Sequence, residues 1–174
     1  MNTSIWFYEN NPLQKYSLTE IITLPSLNVH LTMINISKQF EECIFIDTIG
    51  NIKIYSDFYN LYINVVSVYS LRHFLRALEG LKSYHNFVLF IDSITFIVKK
   101  GIHNFKDIYA SLWSLIYNNK CTIIVSNHYR LEKSNYDVFL IARLGDVWSN
   151  IVSYRIIYKY DKNKLIYEIE CKEL

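Results

Sequence analysis

Acidic and polar residues follow three apolar segments of the chain, and they are the first candidates for chemistry. Asp47 and Asp92 each end an apolar run, and Ser126 ends a third, with Asn127 and His128 directly after it. A continuous apolar run of this length is typical of a strand buried on both faces of a parallel sheet. Because ligands bind beyond the carboxyl ends of such strands, the sequence predicts one ligand-binding edge. Three stretches are expected there: Asp47–Gly50, Asp92–Ser93 and Ser126–His128.

Glycine is scarce, and this limits the chemistry of that edge. Among 174 residues only four are glycine, at positions 50, 80, 101 and 145, and no two lie two, three or five residues apart. An intact phosphate loop, a dinucleotide-binding turn and a nucleophile elbow are therefore excluded. These motifs need residues without a side chain, so that backbone N–H groups can approach a phosphate or form a strained turn.

Histidine and cysteine are spaced for neither a metal site nor a disulfide framework. The five histidines lack metal-site spacing, and no C-x-x-C pair occurs. The cysteines are odd in number and far apart, which indicates reduced thiols in an intracellular protein. They are Cys43, Cys121 and Cys171.

One arrangement of charged residues superficially resembles a metal-dependent nuclease. Asp161 followed by Glu170 and Lys172 is similar to a D…E-x-K signature, in which carboxylates hold Mg²⁺ and the lysine stabilises charge. Asp161, however, is predicted in a turn, so the nuclease remains a minor alternative.

The composition indicates one globular domain that does not cross a membrane. Hydrophobic residues make up 51% and charged residues 20%, which argues against disorder. No apolar run approaches the 18 residues of a membrane span, and the N-terminus has no leader pattern. Because the net charge is only +2, any DNA binding needs locally clustered basic residues.

The elements that must position the candidate residues alternate between strand and helix patterns, which predicts an α/β fold with a mostly parallel sheet. Strands are predicted over Leu18–Ile22, Cys43–Asp47, Ile63–Val68, Phe87–Asp92 and Cys121–Ser126, and helices over His30–Phe40, Leu71–Ser83 and Phe105–Tyr117. A polar stretch is predicted from Asn127 to about Asp146, followed by an antiparallel hairpin of Ile151–Tyr160 and Leu165–Cys171.

Five short segments in this order resemble the ATPase core of the RecA-like recombinases, especially the eukaryotic recombinase paralogues. They are Leu18–Ile22 (LTEII), Ile46–Gly50 (IDTIG), Phe90–Ile94 (FIDSI), Ser126–His128 (SNH), and Leu144–Trp148 (LGDVW) with Tyr154 and Arg155. The resemblance implies a RecA-like P-loop ATPase core with a degenerate phosphate loop and a C-terminal antiparallel hairpin. The core covers residues 18–174, and residues 1–17 form an N-terminal segment that is a candidate docking element.

The stretch Thr23–His30 has the length of the family's phosphate loop but not its residues. Thr23 and Asn28 stand where the resemblance places the loop glycines. Val29 stands in place of the phosphate-binding lysine, and His30 in place of the hydroxyl that ligates Mg²⁺.

The other nucleotide-site positions are altered as well. Ile49 stands where the family has the glutamate that activates water, and His128 where it has the glutamine that senses the γ-phosphate. Only Asp92 remains of the metal-holding set. Since phosphoryl transfer depends on positioning and charge neutralisation, these changes argue against ATP hydrolysis and ATP binding, and no cofactor is expected.

The stretches that match the family's two DNA-contacting loops carry basic and aromatic residues. Basic side chains bind phosphates and aromatic rings stack on bases, which suits single-strand binding. The alternative is ordinary solvated loop charge, because Glu132 and Asp137 lie among them. The predicted DNA-binding residues are Lys99, Lys100, Arg130, Lys133 and Arg143.

Three aromatic groups are candidates either for the core or for an interface with a partner. Trp148 is predicted in the core rather than at an interface, whereas for Trp6–Tyr8 the two are equally favoured. Phe74–Ala77 matches the F-x-x-A docking pattern of recombinases, but its place in a predicted helix indicates coincidence.

The resemblance therefore implies a nuclear protein of homologous recombination repair that is not an enzyme, similar to the small subunits of the Shu complex. It would bind single-stranded or branched DNA, pair with a second recombinase paralogue as a heterodimer, and assist assembly of the active recombinase. The main alternative is a structural RecA-like scaffold subunit that does not contact DNA.

Overall fold

A seven-stranded, mostly parallel sheet forms the centre of the structure, a computed structural model that describes residues 5–8, 11–23, 28–98, 105–133, 138–142, 144–161 and 164–171. The strand order is β11-β10-β3-β7-β6-β4-β5, and only β11 runs antiparallel to its neighbour. The strands are β3 (Leu18–Thr23), β4 (Cys43–Asp47), β5 (Asn64–Ser67), β6 (Val88–Asp92), β7 (Thr122–Asn127), β10 (Tyr154–Asp161) and β11 (Lys164–Cys171).

Helices cover both faces of the sheet, so its inner strands are buried on both sides. One hydrophobic cluster joins the sheet to α1 (Val29–Ser37) and α2 (Asn51–Phe58), and another joins it to α3 (Leu71–Gly80) and α5 (Phe105–Asn119). In β6, Leu89 and Ile91 face the second cluster while Val88 and Phe90 face the first. This alternation explains why the strand appears in the sequence as a continuous apolar run.

The predicted order of large strands and helices is confirmed, with small differences at their ends. The helix predicted over His30–Phe40 is α1, which begins at Val29 because the Asn28 side chain caps it, accepting from the Leu31 N–H at 3.1 Å. The helix predicted over Leu71–Ser83 is α3 followed by a 3₁₀ turn at Leu81–Ser83.

The prediction of a polar stretch over residues 127–146 is wrong. The backbone there forms an antiparallel hairpin of β8 (Tyr129–Lys133) and β9 (Val138–Ala142), followed by α6 (Gly145–Ser149). The run Val138–Ala142 is strongly apolar and carries the strand signal that charged neighbours obscured.

Several further short elements had no clear sequence signal. Near the N-terminus, β1 (Ile5–Tyr8) and β2 (Asn11–Gln14) pair in an antiparallel hairpin, and Leu13 is buried in the core. The side chains of Trp6–Tyr8 lie outside the described part, so their role stays a prediction. Helix α2 and the one-turn helix α4 (Ile94–Ile97) were also not predicted.

Candidate functional site

The carboxyl ends of β4, β6 and β7 meet at one edge of the sheet, as the sequence predicts. The Thr48 hydroxyl donates to the Asp92 carbonyl at 2.5 Å, and the Ser126 hydroxyl donates to Asp92 Oδ1 at 3.1 Å. The Ser93 hydroxyl lies 2.8 Å from His128 Nε2. The three predicted stretches are therefore in direct contact.

Asp92 is a buried acid at this edge, and the described backbone N–H groups do not surround its carboxylate. Its side chain is fully buried, and Oδ2 has no hydrogen-bond partner among the described groups. The His30 imidazole faces this oxygen, with Nε2 lying 3.2 Å from Oδ2. His30 reaches Asp92 because it is the second residue of α1, which begins beyond the end of β3.

Helix α2 also contacts the His30 ring. Asn51 Nδ2 lies 3.2 Å from His30 Nε2, and the Tyr55 ring stacks on the imidazole with centroids 5.8 Å apart. The Tyr55 hydroxyl in turn accepts from Asn28 Nδ2. The imidazole therefore joins three elements, namely α1, α2 and the end of β6.

The altered loop positions have structural contacts of their own. Asn28, at the position of a loop glycine, caps α1, and asparagine is among the preferred residues for that role. Val29, at the lysine position, is buried in the core cluster beneath α1. Thr23 is the half-buried last residue of β3.

Asp47 acts as a cap for α2. Its Oδ1 accepts from the N–H groups of Ile49 at 3.3 Å and Gly50 at 2.7 Å, and its Oδ2 accepts from the Lys53 N–H at 3.1 Å. A buried carboxylate is favourable there because the first N–H groups of a helix lack partners within the helix. Gly50, with φ of 93°, permits the tight entry into α2.

His128 is tied to the end of β6 through a strained residue. Ser93 has a left-handed backbone (φ 52°), and its N–H donates to Ser126 Oγ at 2.6 Å. Its hydroxyl faces both His128 and the Thr95 hydroxyl. His128, which leads into the β8–β9 hairpin, is thus held at the same edge of the sheet as Asp92.

The predicted DNA-binding side chains lie outside the described part of the structure. Arg130 and Lys133 belong to β8, where only the backbone is described, so both lie on a hairpin and not on an irregular loop. Lys99, Lys100 and Arg143 fall beyond the described residues. Their role stays a prediction.

A second buried polar cluster joins residues from three of the five segments that carry the family resemblance. The fully buried Glu20 accepts from Asn127 Nδ2 at 2.6 Å, Trp148 Nε1 at 2.5 Å and Arg155 Nε at 2.6 Å. Sequence reasoning noticed each segment separately but not this contact, since a pattern gives no distance between residues 135 positions apart.

Arg155 extends that cluster toward the surface. Its guanidinium also donates to Glu170 at 3.0 Å and to the Ser149 hydroxyl at 2.7 Å. Burial alone would lower the pKa of Arg155, but the Glu20 and Glu170 carboxylates together raise it above its ordinary value. The cluster therefore contains a permanent, paired charge and links β3 to β10, β11 and α6.

Other predicted residues are placed as follows. Trp148 is fully buried, which confirms its place in the core, and Phe74 is also buried, which makes it inaccessible for F-x-x-A docking.

The nuclease arrangement is contradicted by the hairpin register. Glu170 pairs with Arg155 while Asp161 pairs with Lys164, so the two acids lie roughly 20 Å apart along the strands and cannot share a metal ion.

The described cysteines are poorly reactive. Burial raises the pKa of the Cys121 thiol, and burial also raises the pKa of Cys43, although its contact with Ser37 opposes the shift. A raised pKa reduces the thiolate fraction, which is the nucleophilic form.

In the described ranges, no group of three or more His, Cys, Asp or Glu side chains could hold a metal ion, and none of the helices there combines the length and apolar character of a membrane span.

Comparison with known proteins identifies the fold. No protein-family model and no curated protein sequence matches the chain. Among solved structures, the crystal structure of the RadB recombinase is similar with a TM-score of 0.60 and 14% sequence identity, over 91% of this chain and 82% of that one. The chain therefore has the RecA-like α/β fold expected from the sequence, and at this identity the likeness extends to the fold alone.

Proteins of this fold that hydrolyse ATP bind it with Mg²⁺, and the residues at this edge do not fit that group. In P-loop NTPases the metal is held by a loop hydroxyl and an acid, and a lysine contacts the phosphates. At the position that the resemblance assigns to the hydroxyl, His30 contacts the acid itself, and Val29 is buried in the core.

Proposed function

We propose that this chain is a non-catalytic recombinase paralogue that binds DNA and a partner paralogue and assists recombinase assembly during homologous recombination in the nucleus. The observation that carries the proposal is the His30–Asp92 contact of 3.2 Å at the place where a RecA-like ATPase holds its metal. We call this edge the closed edge, because the chain's own side chains occupy the place of the ligand. A RecA-like fold with a closed edge is suited to binding, as in the small subunits of the Shu complex.

The absence of catalysis follows from what phosphoryl transfer requires. The transferred phosphoryl group needs a cation and a cradle of backbone N–H groups. Val29 supplies no charge, and the Asn28 side chain is used in capping α1. Ile49 has no group that could orient a water molecule. We therefore expect no ATPase activity.

Partner binding is supported by an uncharged sheet edge, here named the aromatic edge. It comprises Phe58 and Tyr59 at the end of α2, Tyr62 in the following loop, Val66 in β5, and Tyr69. Tyr62 is fully exposed, and Phe58 and Tyr69 are exposed by 76% and 72%. Several large exposed side chains on an edge strand and its neighbouring helix indicate an interaction surface.

The edge strand itself lacks the features that prevent pairing. Within the described residues, β5 pairs only with β4, and Asn64–Ser67 contains neither a charge nor a proline. Natural sheets usually protect such an edge with those residues or with a cover. A partner subunit that packs against the aromatic edge would supply that cover.

DNA binding is supported by two basic residues that follow the site in the chain. Arg130 and Lys133 lie on the β8 strand, which directly follows His128. The net charge of +2 gives little long-range attraction. We therefore expect that the partner contributes much of the DNA affinity.

A charge-reversal experiment tests the DNA contact. We expect Arg130→Glu with Lys133→Glu to weaken binding of the purified complex to single-stranded DNA at least tenfold. The log–log salt dependence should also become less steep by about 0.7 for each phosphate that the variant no longer neutralises. Fluorescence anisotropy at several salt concentrations measures both quantities.

Arg72→Glu with Arg76→Glu is the matched control. Both arginines are exposed on α3 and lie outside the segments proposed to contact DNA, and the change in net charge is the same. Equal losses in the two double variants would mean a general charge effect. Unaltered affinity in the Arg130 and Lys133 variant would favour the second candidate, a RecA-like scaffold that does not contact DNA.

A further inference from the structure

The His30–Asp92 contact coincides with the place of a metal ion in the fold. In P-loop NTPases, Mg²⁺ lies between the hydroxyl near the start of the first helix and the acid at the end of a central strand. The resemblance assigns those two positions to His30, the second residue of α1, and Asp92, the last residue of β6. The imidazole nitrogen lies 3.2 Å from the carboxylate, which leaves no room for an ion between them.

We propose that the imidazole of His30 takes the place of the metal ion, as a positioning residue that holds the closed edge together without nucleotide. This deepens the proposed function, because it explains how a nucleotide-free protein keeps the conformation of its helices. The claim concerns the chain's own residues and does not depend on which DNA or partner is bound.

The need for such a group follows from the environment of Asp92. A fully buried carboxylate is costly unless it is paired. Ser126 satisfies Oδ1, but Oδ2 has no hydrogen-bond donor among the described groups, and the imidazole that faces it is that of His30. Without the imidazole, or a cation in its place, the carboxylate would be left with one partner.

The same imidazole connects the buried edge to the surface. His30 stacks on Tyr55, Tyr55 stacks on Tyr59 with centroids 6.4 Å apart, and Tyr59 packs edge-on against Phe58. Tyr59 and Phe58 belong to the aromatic edge. The His30–Asp92 contact therefore fixes the helix that carries part of this surface.

The test replaces His30 and asks whether a metal ion restores the stability that the variant lacks. We expect His30→Ser to lower the melting temperature in metal-free buffer by about 6 °C or more, because it leaves a buried carboxylate without its pair. Mg²⁺ at about 10 mM should recover at least half of that decrease, since a hydroxyl and a carboxylate with bound waters suit this ion. The wild-type melting temperature should not change with Mg²⁺.

Asp92→Asn separates this role from simple packing. Alone it should lower the melting temperature, because His30 loses the carboxylate that it faces. Added to His30→Ser it should instead raise the melting temperature and abolish the effect of Mg²⁺. This reversal of sign also covers the case in which His30→Ser does not fold, because the double variant should then regain a folding transition. His73→Ser on the exposed face of α3 is the control and should have no effect.

Each result decides the proposal. It is supported if the sign reverses and only His30→Ser responds to Mg²⁺. It is overturned if wild type is stabilised by Mg²⁺, if Asp92→Asn acts equally in both backgrounds, or if Mg²⁺ has no effect on His30→Ser. None of these measurements uses DNA or a partner, so failure here is distinct from failure of the proposed function.

Discussion

Three buried acidic side chains are stabilised in different ways within a single sheet. Glu20 is surrounded by side chains from β7, α6 and β10, and Asp47 by backbone N–H groups at the start of α2. Asp92 has one hydroxyl and one imidazole. Because the first two sets are complete, they are structural. Asp92 depends on a single side chain for its second oxygen, and it is the acid whose surroundings determine what the edge can bind.

The Glu20 cluster yields a prediction about stability. Glu20→Gln should lower the free energy of unfolding by about 3 kcal/mol, because it leaves the Arg155 charge partly buried without its main partner. Urea denaturation measures the change. Replacing Arg155 with Met in the same chain should recover part of the loss, since removing both charges avoids an unpaired one.

Glu79→Gln is the control for that measurement. Glu79 forms a surface ion pair with Lys82 at 2.6 Å, and both side chains are exposed. Pairs of this kind contribute about 0–1 kcal/mol. If both variants lost equal stability, the Glu20 cluster would be no more important than a surface pair.

At the scale of elements, the outer strand and its helix differ from the rest of the sheet. β3, β6 and β7 are buried on both faces, whereas three of the four residues of β5 are exposed. Helix α2 buries only Ile52 and Ser56. Elements with so little burial contribute little to the core, so their apolar surface is better explained by binding than by folding.

The aromatic edge therefore gives a prediction that separates binding from stability. Tyr62→Glu with Val66→Lys should abolish co-purification of a recombinase-like partner, because charges on an interface core must be desolvated. The melting temperature should change by less than about 2 °C, since exposed positions have small effects on stability. Quantitative mass spectrometry of tagged protein and thermal denaturation give the two values.

Tyr117→Glu provides the comparison for the aromatic edge. Tyr117 is 73% exposed at the end of α5, on the opposite face of the sheet. This variant should retain the partner. Loss of the partner in both variants, or in neither, would contradict the assignment of the interface to β5 and α2.

At the scale of the whole molecule, hydrophobic periodicity predicted the strands and helices that are long and buried. The runs at Cys43–Asp47 and Phe87–Asp92 fold as β4 and β6 because both faces of each strand are covered. The β8–β9 hairpin was missed because charged residues interrupt its pattern. Contacts such as Glu20–Arg155 could not be predicted, because they depend on how strands far apart in the chain are ordered in the sheet.

The meeting of the candidate residues was predictable, but their contacts were not. The acid-ended strands indicated residues that do meet at one edge of the sheet, because parallel strands end together. The resemblance also predicted that His30 stands in place of a hydroxyl, but not that its ring contacts Asp92 and stacks on Tyr55. Those contacts depend on the start of α1 and on the packing of α1 against α2.

A closed edge has a consequence for the stability of the molecule as a whole. A ligand that binds only the folded state raises stability by about 2.7 kcal/mol at a hundred times its Kd. For a domain of this length each kcal/mol corresponds to about 2–4 °C in melting temperature. A RecA-like protein that binds MgATP should therefore melt roughly 5–10 °C higher at saturation. We expect no saturable shift for this chain at millimolar MgATP in thermal denaturation, with an active RecA-like ATPase as the positive control. A saturable, ATP-dependent rise would mean that the edge opens, because His30 and a magnesium ion cannot occupy the same side of Asp92.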